Sequence, residues 1–439
     1  MSIKTFRKGG IHPDADKLTA DCMPERTPLA DKLTIMLSQS IGAPSQPVVA
    51  AGAHVAAGEL IAKAGGFVSS NIHSPCAGTV KKIEPARTPQ GLWQNAIIIE
   101  PDAEQPEPTF NGRTEAETEA LTPAEIIAIV AEAGIVGLGG ATFPTHVKLS
   151  LPPGKKADTI ILNGAECEPY LTCDDVLMRT RAREIIDGAR LMKKGAGAGR
   201  IIAGIEENKP EAIKAFREAA AGFPDVEVTV LKKKYPQGSE KQLIQACTGR
   251  VVPAGGLPVD AGVIVDNVAT AYAVWEAVAL GKPLYERIVT VTGPNLEGRG
   301  NYIVAVGTPL ETIINDIGGL PDDTEKVVCG GPMMGKAAST LDSPSTKGLS
   351  GVLVLPESMA MRRKPDPCIR CARCVEVCPM GLEPYMLAQL GGHKRWADAA
   401  TRGVANCLEC GCCSYICPSS RPILDFIRLA KAESRKLKK

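Results

Sequence analysis

Two runs of cysteine near the C-terminus carry chemistry in their spacing: Cys368, Cys371, Cys374 and Cys378 before Pro379, and Cys407, Cys410, Cys413 and Cys417 before Pro418. Each reads C-x2-C-x2-C-x3-C-P, a spacing that holds a [4Fe–4S] cluster. Three closely spaced thiolates wrap one face of a cubane, and the proline turns the chain away after the remote fourth. Where two such runs share a domain, the fourth cysteine ligates the other run's cluster. The spacing therefore predicts Cys368, Cys371, Cys374 and Cys417 on one cluster, and Cys407, Cys410, Cys413 and Cys378 on the other. Cubanes in series pass single electrons. A disulfide framework belongs in a short secreted domain, not in a 439-residue chain that opens without a signal-peptide pattern. Structural zinc takes paired C-x2-C ligands, and a third cysteine at the next step over-supplies a tetrahedral site. Cys412 is off the register and is expected not to ligate. Cys22, Cys76, Cys167, Cys173, Cys247 and Cys329 are scattered and read as small buried side chains in a reducing cytosol.

A second constellation lies in the middle of the chain. Gly137-Leu-Gly-Gly-Ala-Thr-Phe-Pro144 would let backbone N–H groups approach an anionic cofactor without obstruction by Cβ atoms. Lys148 follows closely and could pair with a phosphate or a reduced flavin. Asn163-Gly-Ala-Glu-Cys-Glu-Pro169 comes after a strand pattern, and the C-terminal ends of strands are where open α/β sheets bind ligands. Tyr235-Pro-Gln-Gly-Ser-Glu240 precedes a helix, and Val265-Asp-Asn-Val-Ala-Thr270 lies between strand and helix. Gly195-Ala-Gly-Ala-Gly199 precedes a strand and reads as a helix stop and turn.

These groups need a scaffold, and the period of the sequence supplies one. Strand patterns at 159–162, 200–205, 226–231 and 262–265 alternate with helical patterns near 174–193, 209–221, 238–248 and 267–280. Such alternation predicts a sheet covered by helices. Thr122, Pro123 and Glu125 read as N-cap, N1 and N3 of a capping box, with the helix running to about Ala133 and Gly134 stopping it. Residues 1–100 alternate apolar residues with turn glycines. They look like the flattened β-barrel of lipoyl and biotinyl carriers, with Lys63 read as a solvated strand lysine and the domain as a docking element without chemistry of its own. The predicted organisation is a carrier-like barrel (1–100), an acidic, proline-rich linker (101–120), an α/β domain (121–283), a small β-rich module (284–341), a second linker (342–364) and a helical two-cluster domain (365–439).

Composition excludes several classes. The net charge is +1, whereas a nucleic-acid partner normally leaves a basic excess. No apolar run approaches the roughly 20 residues of a membrane span; Val259–Leu280 is broken by Asp260, Asp266, Asn267 and Glu276. Membrane association is thus expected only through partners. The basic end, Ser434-Arg-Lys-Leu-Lys-Lys439, reads as a solvated terminus. The five histidines are dispersed and offer neither a metal site nor a triad.

The four central segments resemble, in order, those of the flavin- and NADH-binding subunit of respiratory complex I: G-x-G-G-A-x-F-P, N-A-D-E-x-E-P, Y-x-x-G-E-E and N-N-V-E-T. With Phe6-Arg-Lys-Gly-Gly-Ile-His-Pro13, the N-terminal barrel and the two-cluster C-terminus, the layout resembles the C subunits of Rnf electron-transport complexes over nearly the whole chain. The resemblance implies that Gly137, Gly139, Gly140, Lys148, Asn163, Glu240, Asn267 and Thr270 surround FMN. It also implies that Phe143 stacks on NAD(H) and that Glu168 holds its ribose. Leu138 stands where complex I has Arg, Ala165 where it has Asp, and Ser239 where it has Glu, which leaves this pocket less polar. The small module is expected to be β-grasp-like.

The expected function is that of a peripheral subunit, on the cytoplasmic face of the membrane, exchanging electrons between NAD(H) and ferredoxin. FMN and two [4Fe–4S] clusters would carry them, other subunits including a ferredoxin-like iron–sulfur subunit would receive them, and partner subunits would translocate sodium or protons. Two alternatives are a soluble flavin and iron–sulfur reductase, such as a corrinoid reductase, and a non-enzymatic iron–sulfur wire. The barrel standing first favours the Rnf layout over the corrinoid one.

Overall fold

The computed structural model describes residues 3–437, so Lys438 and Lys439 of the basic tail lie outside the described residues. The expected multidomain α/β architecture is present. At its centre lies a parallel sheet in the order Val226–Leu231, Arg200–Glu206, Thr159–Gly164, Val263–Asn267. Ile160, Leu162, Ile201 and Ile264 pack on one face among the helices, while Ile161, Ile202, Val263 and Val265 pack on the other beneath helix Glu240–Thr248. Burial on both faces is what an all-parallel sheet requires.

The helix starts follow local chemistry. Thr122 caps helix Pro123–Glu132 through Oγ1, which accepts from Glu125 N (3.3 Å), while Thr122 N donates to the Glu125 carboxylate (2.7 Å). The single helix expected over 174–193 is two, Cys173–Thr180 and Ala182–Ala196. The Thr180 hydroxyl donates back to Val176 O (2.8 Å), and Arg181 leaves helical geometry at φ −135°. Back-bonding of this kind bends helices. The second helix ends on Gly197, as the glycine repeat implied.

The N-terminal domain folds as two small antiparallel sheets around Leu33, Ile35, Ile61, Ile72, Val80, Ile97 and Ile99. Lys63 is exposed at the end of strand Leu60–Lys63, opposite Gln46. Residues before the barrel run elsewhere: Lys4 bridges to Leu231, Ile11 to Tyr235, and Glu25–Arg26 adds an edge to the small module's sheet.

That sheet has six strands, ordered Glu25–Arg26, Gly300–Ala305, Glu286–Thr292, Gly351–Pro356, Thr324–Cys329, Lys336–Ala337. The linker expected over 342–364 is corrected here. Strand Gly351–Pro356 lies inside the sheet, parallel to one neighbour and antiparallel to the other. The buried run Val352, Leu353, Val354 outweighs the turn-forming residues that precede it. The stretch 101–120 is also ordered in part. Thr114 and Glu117 cap helix Glu115–Ala120, Phe110 packs against Tyr285, and Arg113 Nη1 donates to Val278 O (2.8 Å).

The C-terminal domain is helical, built on Leu387, Ala399, Val404, Ile427 and Ala430. Among the described residues, no helix is long and apolar enough to cross a membrane.

Candidate functional site

Each cysteine run folds as a curl followed by a four-residue helix, Arg373–Glu376 and Cys412–Tyr415. Left-handed residues recur at matching places, Arg370 and Ala372 in the first run, Glu409 and Gly411 in the second. Non-glycine residues adopt that region at a cost, and alternation of hands turns successive backbone N–H groups toward one concavity. Cys368, Cys371, Cys374 and Cys417 line one cavity of about 200 Å³. Cys378, Cys407, Cys410 and Cys413 line a second. The structure thus brings together the exchanged sets. Cys368 and Cys371 are exposed, whereas the second set is buried or half-buried. Four thiols gathered at each cavity on a polar backbone concavity fit a cubane, which takes four thiolates. Cys412 also lies at the second cavity. Its proximity pulls the pKa of the Cys410 thiol below the ordinary range.

A larger cavity of about 800 Å³ opens at the C-terminal ends of the parallel strands. Gly137, Gly139, Gly140, Phe143, Lys148, Asn163, Glu168, Glu240 and Asn267 all line it. The loop closes on itself through Gly137 N to Phe143 O (2.9 Å) and Thr142 N to Gly137 O (3.2 Å). The amides of Gly139, Gly140 and Ala141 meet no acceptor among the described residues. Gly140 has φ +99° with open space where a Cβ would stand. Free donors on an unobstructed backbone fit the phosphate of a flavin nucleotide. Asn163 Nδ2 donates to Gly238 O (2.8 Å), and Asn267 Nδ2 to Asp174 Oδ2 (2.6 Å), which fixes both amides at the rim.

Thr270, expected at the cofactor, is not on this cavity. It is fully buried behind the loop, and its Oγ1 accepts from Leu138 N (2.9 Å). The same peptide is gripped from the other side, where Arg287 Nη2 donates to Leu138 O (3.2 Å) and Nη1 to Lys347 O (2.6 Å). Arg287 is buried, which pulls its pKa down, and its field at the loop comes from the small module. A buried arginine thus supports the loop from outside it, although the loop itself carries Leu138.

The cavity's ionisable groups are strongly perturbed. Burial opposes the charge of Lys148, but Asp266 (3.3 Å) and Glu240 (3.8 Å) outweigh it and raise its pKa, so the ammonium persists. Burial pushes Glu240 and Asp266 up in turn. Glu168 is pushed up to about 7 by burial, although Met333 N and Met334 N donate to its two oxygens (3.0 and 2.8 Å). Both carboxylate oxygens are thus engaged by the small module, with further lone pairs left for a ligand. Beside it Glu166 is pushed up to about 8 by burial, against the pull of Lys17 and Lys209.

Several contributors lie outside the expected set. The barrel, expected to lack chemistry, supplies a wall of the cavity through Met36, Ser38–Ile41 and Thr88–Gln90. Cys167, Cys173 and Cys329, expected as core residues, also face it. His146 points away, its Nε2 bonded to Phe67 O (3.1 Å) in the barrel. Leu408 and Cys410 of the second cysteine run line the same cavity. The Tyr235 hydroxyl donates to Cys410 O (2.8 Å).

Comparison with known proteins finds three family models along the chain. The Nuo51 FMN-binding domain model matches residues 130–276, the RnfC barrel sandwich hybrid domain 4–104, and the 4Fe-4S dicluster domain 360–418. The chain is 44% identical over 435 residues to the C subunit of the proton-translocating ferredoxin:NAD(+) oxidoreductase complex of Clostridium ljungdahlii, covering 99% of this chain and 94% of that one. It is 41% identical over 437 residues to the Na(+)-translocating counterpart of Acetobacterium woodii, covering 99% and 98%. The C subunit of the Rhodobacter capsulatus ion-translocating oxidoreductase complex is 44% identical over 385 residues, covering 87% and 74%. Among solved structures, a chain of an NAD+-reducing [NiFe]-hydrogenase in the H2-reduced state shares the fold, with a TM-score of 0.50 at 21% identity over 72% of this chain and 63% of that one.

Proposed function

Because the chain belongs to the family of C subunits from ion-translocating ferredoxin:NAD(+) oxidoreductase complexes, we propose that it exchanges electrons between NAD(H) and the rest of such a complex. The large cavity would take the hydride-carrying dinucleotide; Cys378, Cys407, Cys410 and Cys413 would hold the nearer of two one-electron carriers, and Cys368, Cys371, Cys374 and Cys417 the farther one. The order rests on one observation: Leu408 and Cys410 line the same cavity as the Gly137–Pro144 loop. FMN supplies the chemistry that converts a two-electron hydride into single electrons.

The chain's own residues bind and orient. The Gly139 and Gly140 amides hold the phosphate end of the cofactor, Lys148 brings a retained positive charge, and Asn163, Glu240 and Asn267 fix its polar edge. Phe143 stacks on the nicotinamide dinucleotide, and Glu168 accepts from its ribose. Hydride transfer itself needs no general acid or base from these groups. Attachment to the membrane comes through partner subunits, which also translocate the ion, and the chain sits at the cytoplasmic face. Anaerobic NADH titration of the purified protein tests the proposal. NADH should bleach the flavin and produce a reduced-cluster EPR signal. Neither change would leave a passive wire.

A further inference from the structure

A small pocket of about 10 Å³, room for about one water, lies behind the large cavity, between the N-terminal segment and the strand ends. His12, Asp14 and Asn208 form its exposed mouth, and Glu206 stands buried in its wall. Glu166 lines this pocket and the large cavity alike, so its side chain is a partition shared by the two. Its backbone is left-handed at φ +45°, a conformation that costs a non-glycine residue and recurs where a side chain must be aimed. Glu166 Oε1 accepts from Asp174 N (2.7 Å). Its Oε2, like Glu206 Oε1, is buried with no hydrogen-bond partner among the described residues. The two side chains are only 3% and 2% exposed. Lys209 Nζ stands 4.0 Å from Oε2 of each, and Lys17 Nζ 3.8 Å from that of Glu166, too far for a hydrogen bond. Both ammoniums donate instead to backbone carbonyls, Lys17 to Glu166 O (2.9 Å) and Glu168 O (3.0 Å), Lys209 to Ala165 O (2.8 Å). Four carboxyls (Glu166, Asp174, Asp175 and Glu206) thus share three cations, Lys17, Lys209 and Arg179. Burial disfavours the surplus charge, pushing Glu166 up to about 8 and Glu206 up to about 7. A carboxyl that titrates near neutral pH both takes and gives a proton.

We propose that Glu166 and Glu206 are the proton exit of the large cavity: Glu166 takes the proton on the cavity side, and Glu206 hands it to solvent through a water in the small pocket. The inference rests on the reading that the large cavity takes the hydride-carrying dinucleotide. Oxidation of NADH yields NAD+, two electrons and one proton. The electrons leave singly by the carriers of the two cysteine sets, and the proton cannot follow them. It protonates the free Glu166 Oε2, forming an O–H bond there. That bond breaks as the proton passes to the pocket water and Glu206 Oε1, which returns Glu166 to its carboxylate. Lys17 and Lys209 stay charged and hold the carboxylate form of both acids within reach of ionisation. When electrons run toward NAD+, the same proton moves inward.

The test uses the full chain loaded with FMN and clusters, and Glu206→Gln, a residue outside the large cavity. In stopped flow NADH reduces the protein, and ferricyanide then withdraws the electrons one at a time while a pH dye in weak buffer reports the proton. NADH should bleach the flavin of Glu206→Gln as fast as that of wild type, because hydride delivery precedes proton departure. Proton release should slow roughly 100-fold, the low end of what positioned proton transfer contributes. Formate should restore it, since a small weak acid carries the proton past the missing carboxyl, and Glu206→Asp should stay within a few-fold of wild type. On flavin-free protein, infrared spectra should show a protonated-carboxyl band that titrates at about pH 7 to about 8 and shrinks in Glu166→Gln and in Glu206→Gln. Wild-type proton release in Glu206→Gln, at unchanged iron content, would overturn the proposal. So would a loss that formate leaves unrepaired, which would make Glu206 merely structural, or a wild-type spectrum without the band. If the band is present but NADH bleaches no wild-type flavin, the failure belongs to the hydride reading and not to the carboxyls.

Discussion

Thr270→Val separates a residue that touches the cofactor from one that shapes its loop. Thr270 is fully buried, does not line the cavity, and offers Oγ1 to Leu138 N at 2.9 Å. Valine has nearly the same volume, so packing is kept and only the acceptor is lost. Leu138 is itself 3% exposed, so its amide has no water to turn to. An orphaned buried donor costs about 1–3 kcal/mol. The loop avoids that cost only by leaving the conformation that presents the Gly139 and Gly140 amides. At about 1.4 kcal/mol per tenfold, FMN affinity should weaken by roughly 5- to 140-fold. The assay is fluorescence quenching as FMN is titrated into flavin-free protein, with iron counted in parallel. Iron content should not change, and Thr270→Ser, which restores the acceptor, should bind within a few-fold of wild type. Wild-type affinity in Thr270→Val, or a serine variant as poor as the valine one, would refute the reasoning.

Cys374→Ala and Cys417→Ala should each deplete the same cluster, and the double variant should lose no more iron than either single, whereas Cys378→Ala should deplete the other; EPR of the reduced variants reads which signal survives. Lys347 is buried with Nζ donating to Asn71 O (2.7 Å) and Gly134 O (2.8 Å), and burial pulls its pKa from 10.5 down to about 7. Between these values the unfolded chain holds a proton that the folded chain lacks, so stability rises with pH by up to about 1.4 kcal/mol per unit. Below pH 7 both states are protonated and the slope vanishes. Thermal midpoints of wild type and Lys347→Met at pH 7.5 and 9 should show the rise only in wild type. Gly9 sits at φ +69°, and a Cβ there would stand 2.6 Å from the Cys378 carbonyl carbon. Gly9→Ala should therefore displace the Cys378 backbone and lower occupancy of that cluster, measured as lost iron.

What is legible in the sequence follows from how locally each feature is determined. The cysteine runs declare themselves because cubane ligation demands short fixed spacings, and the exchanged fourth ligand follows from having two runs. Three of the four cavity segments are readable because each follows or ends a strand, where chain direction and side-chain exposure are set within a few residues; the fourth, Gly137–Pro144, is readable from its glycines, which mark a loop between two helices. Arg287 gives no such sign. It belongs to a strand in another module, and only the packing of that module carries it to Leu138. The barrel wall is invisible for the same reason, since Ser38–Ile41 and Thr88–Gln90 form no motif. The strand Gly351–Pro356 differs in kind: its apolar run is in plain view, but the glycines, serines and prolines nearby signal a connection more strongly. Thr114 and Glu117 likewise spell a capping box inside a stretch whose prolines suggest a tether.

Electron transfer from cavity to cluster needs a separation that does not drift, yet the nucleotide and cluster domains have separate cores. The bonds that join them converge on one segment. Tyr235 donates to Cys410 O, and Gln242 Nε2 donates to Pro379 O (3.3 Å), next to Cys378. Between these two residues lie Gly238–Glu240, which line the cavity. The N-terminal segment adds a brace, because Ile11 pairs with Tyr235 in both directions (2.8 and 2.9 Å) while Gly10 N donates to Val377 O (2.9 Å). The FRKGGIHP signature thus bridges the cavity segment to the cluster backbone. Its glycines are required because Gly9 lies against the Cys378 peptide with no room for a side chain. A shift of Tyr235 moves cavity and cluster together, so the gap between them is set by one hydrogen-bonded element, independently of how the apolar cores on either side breathe.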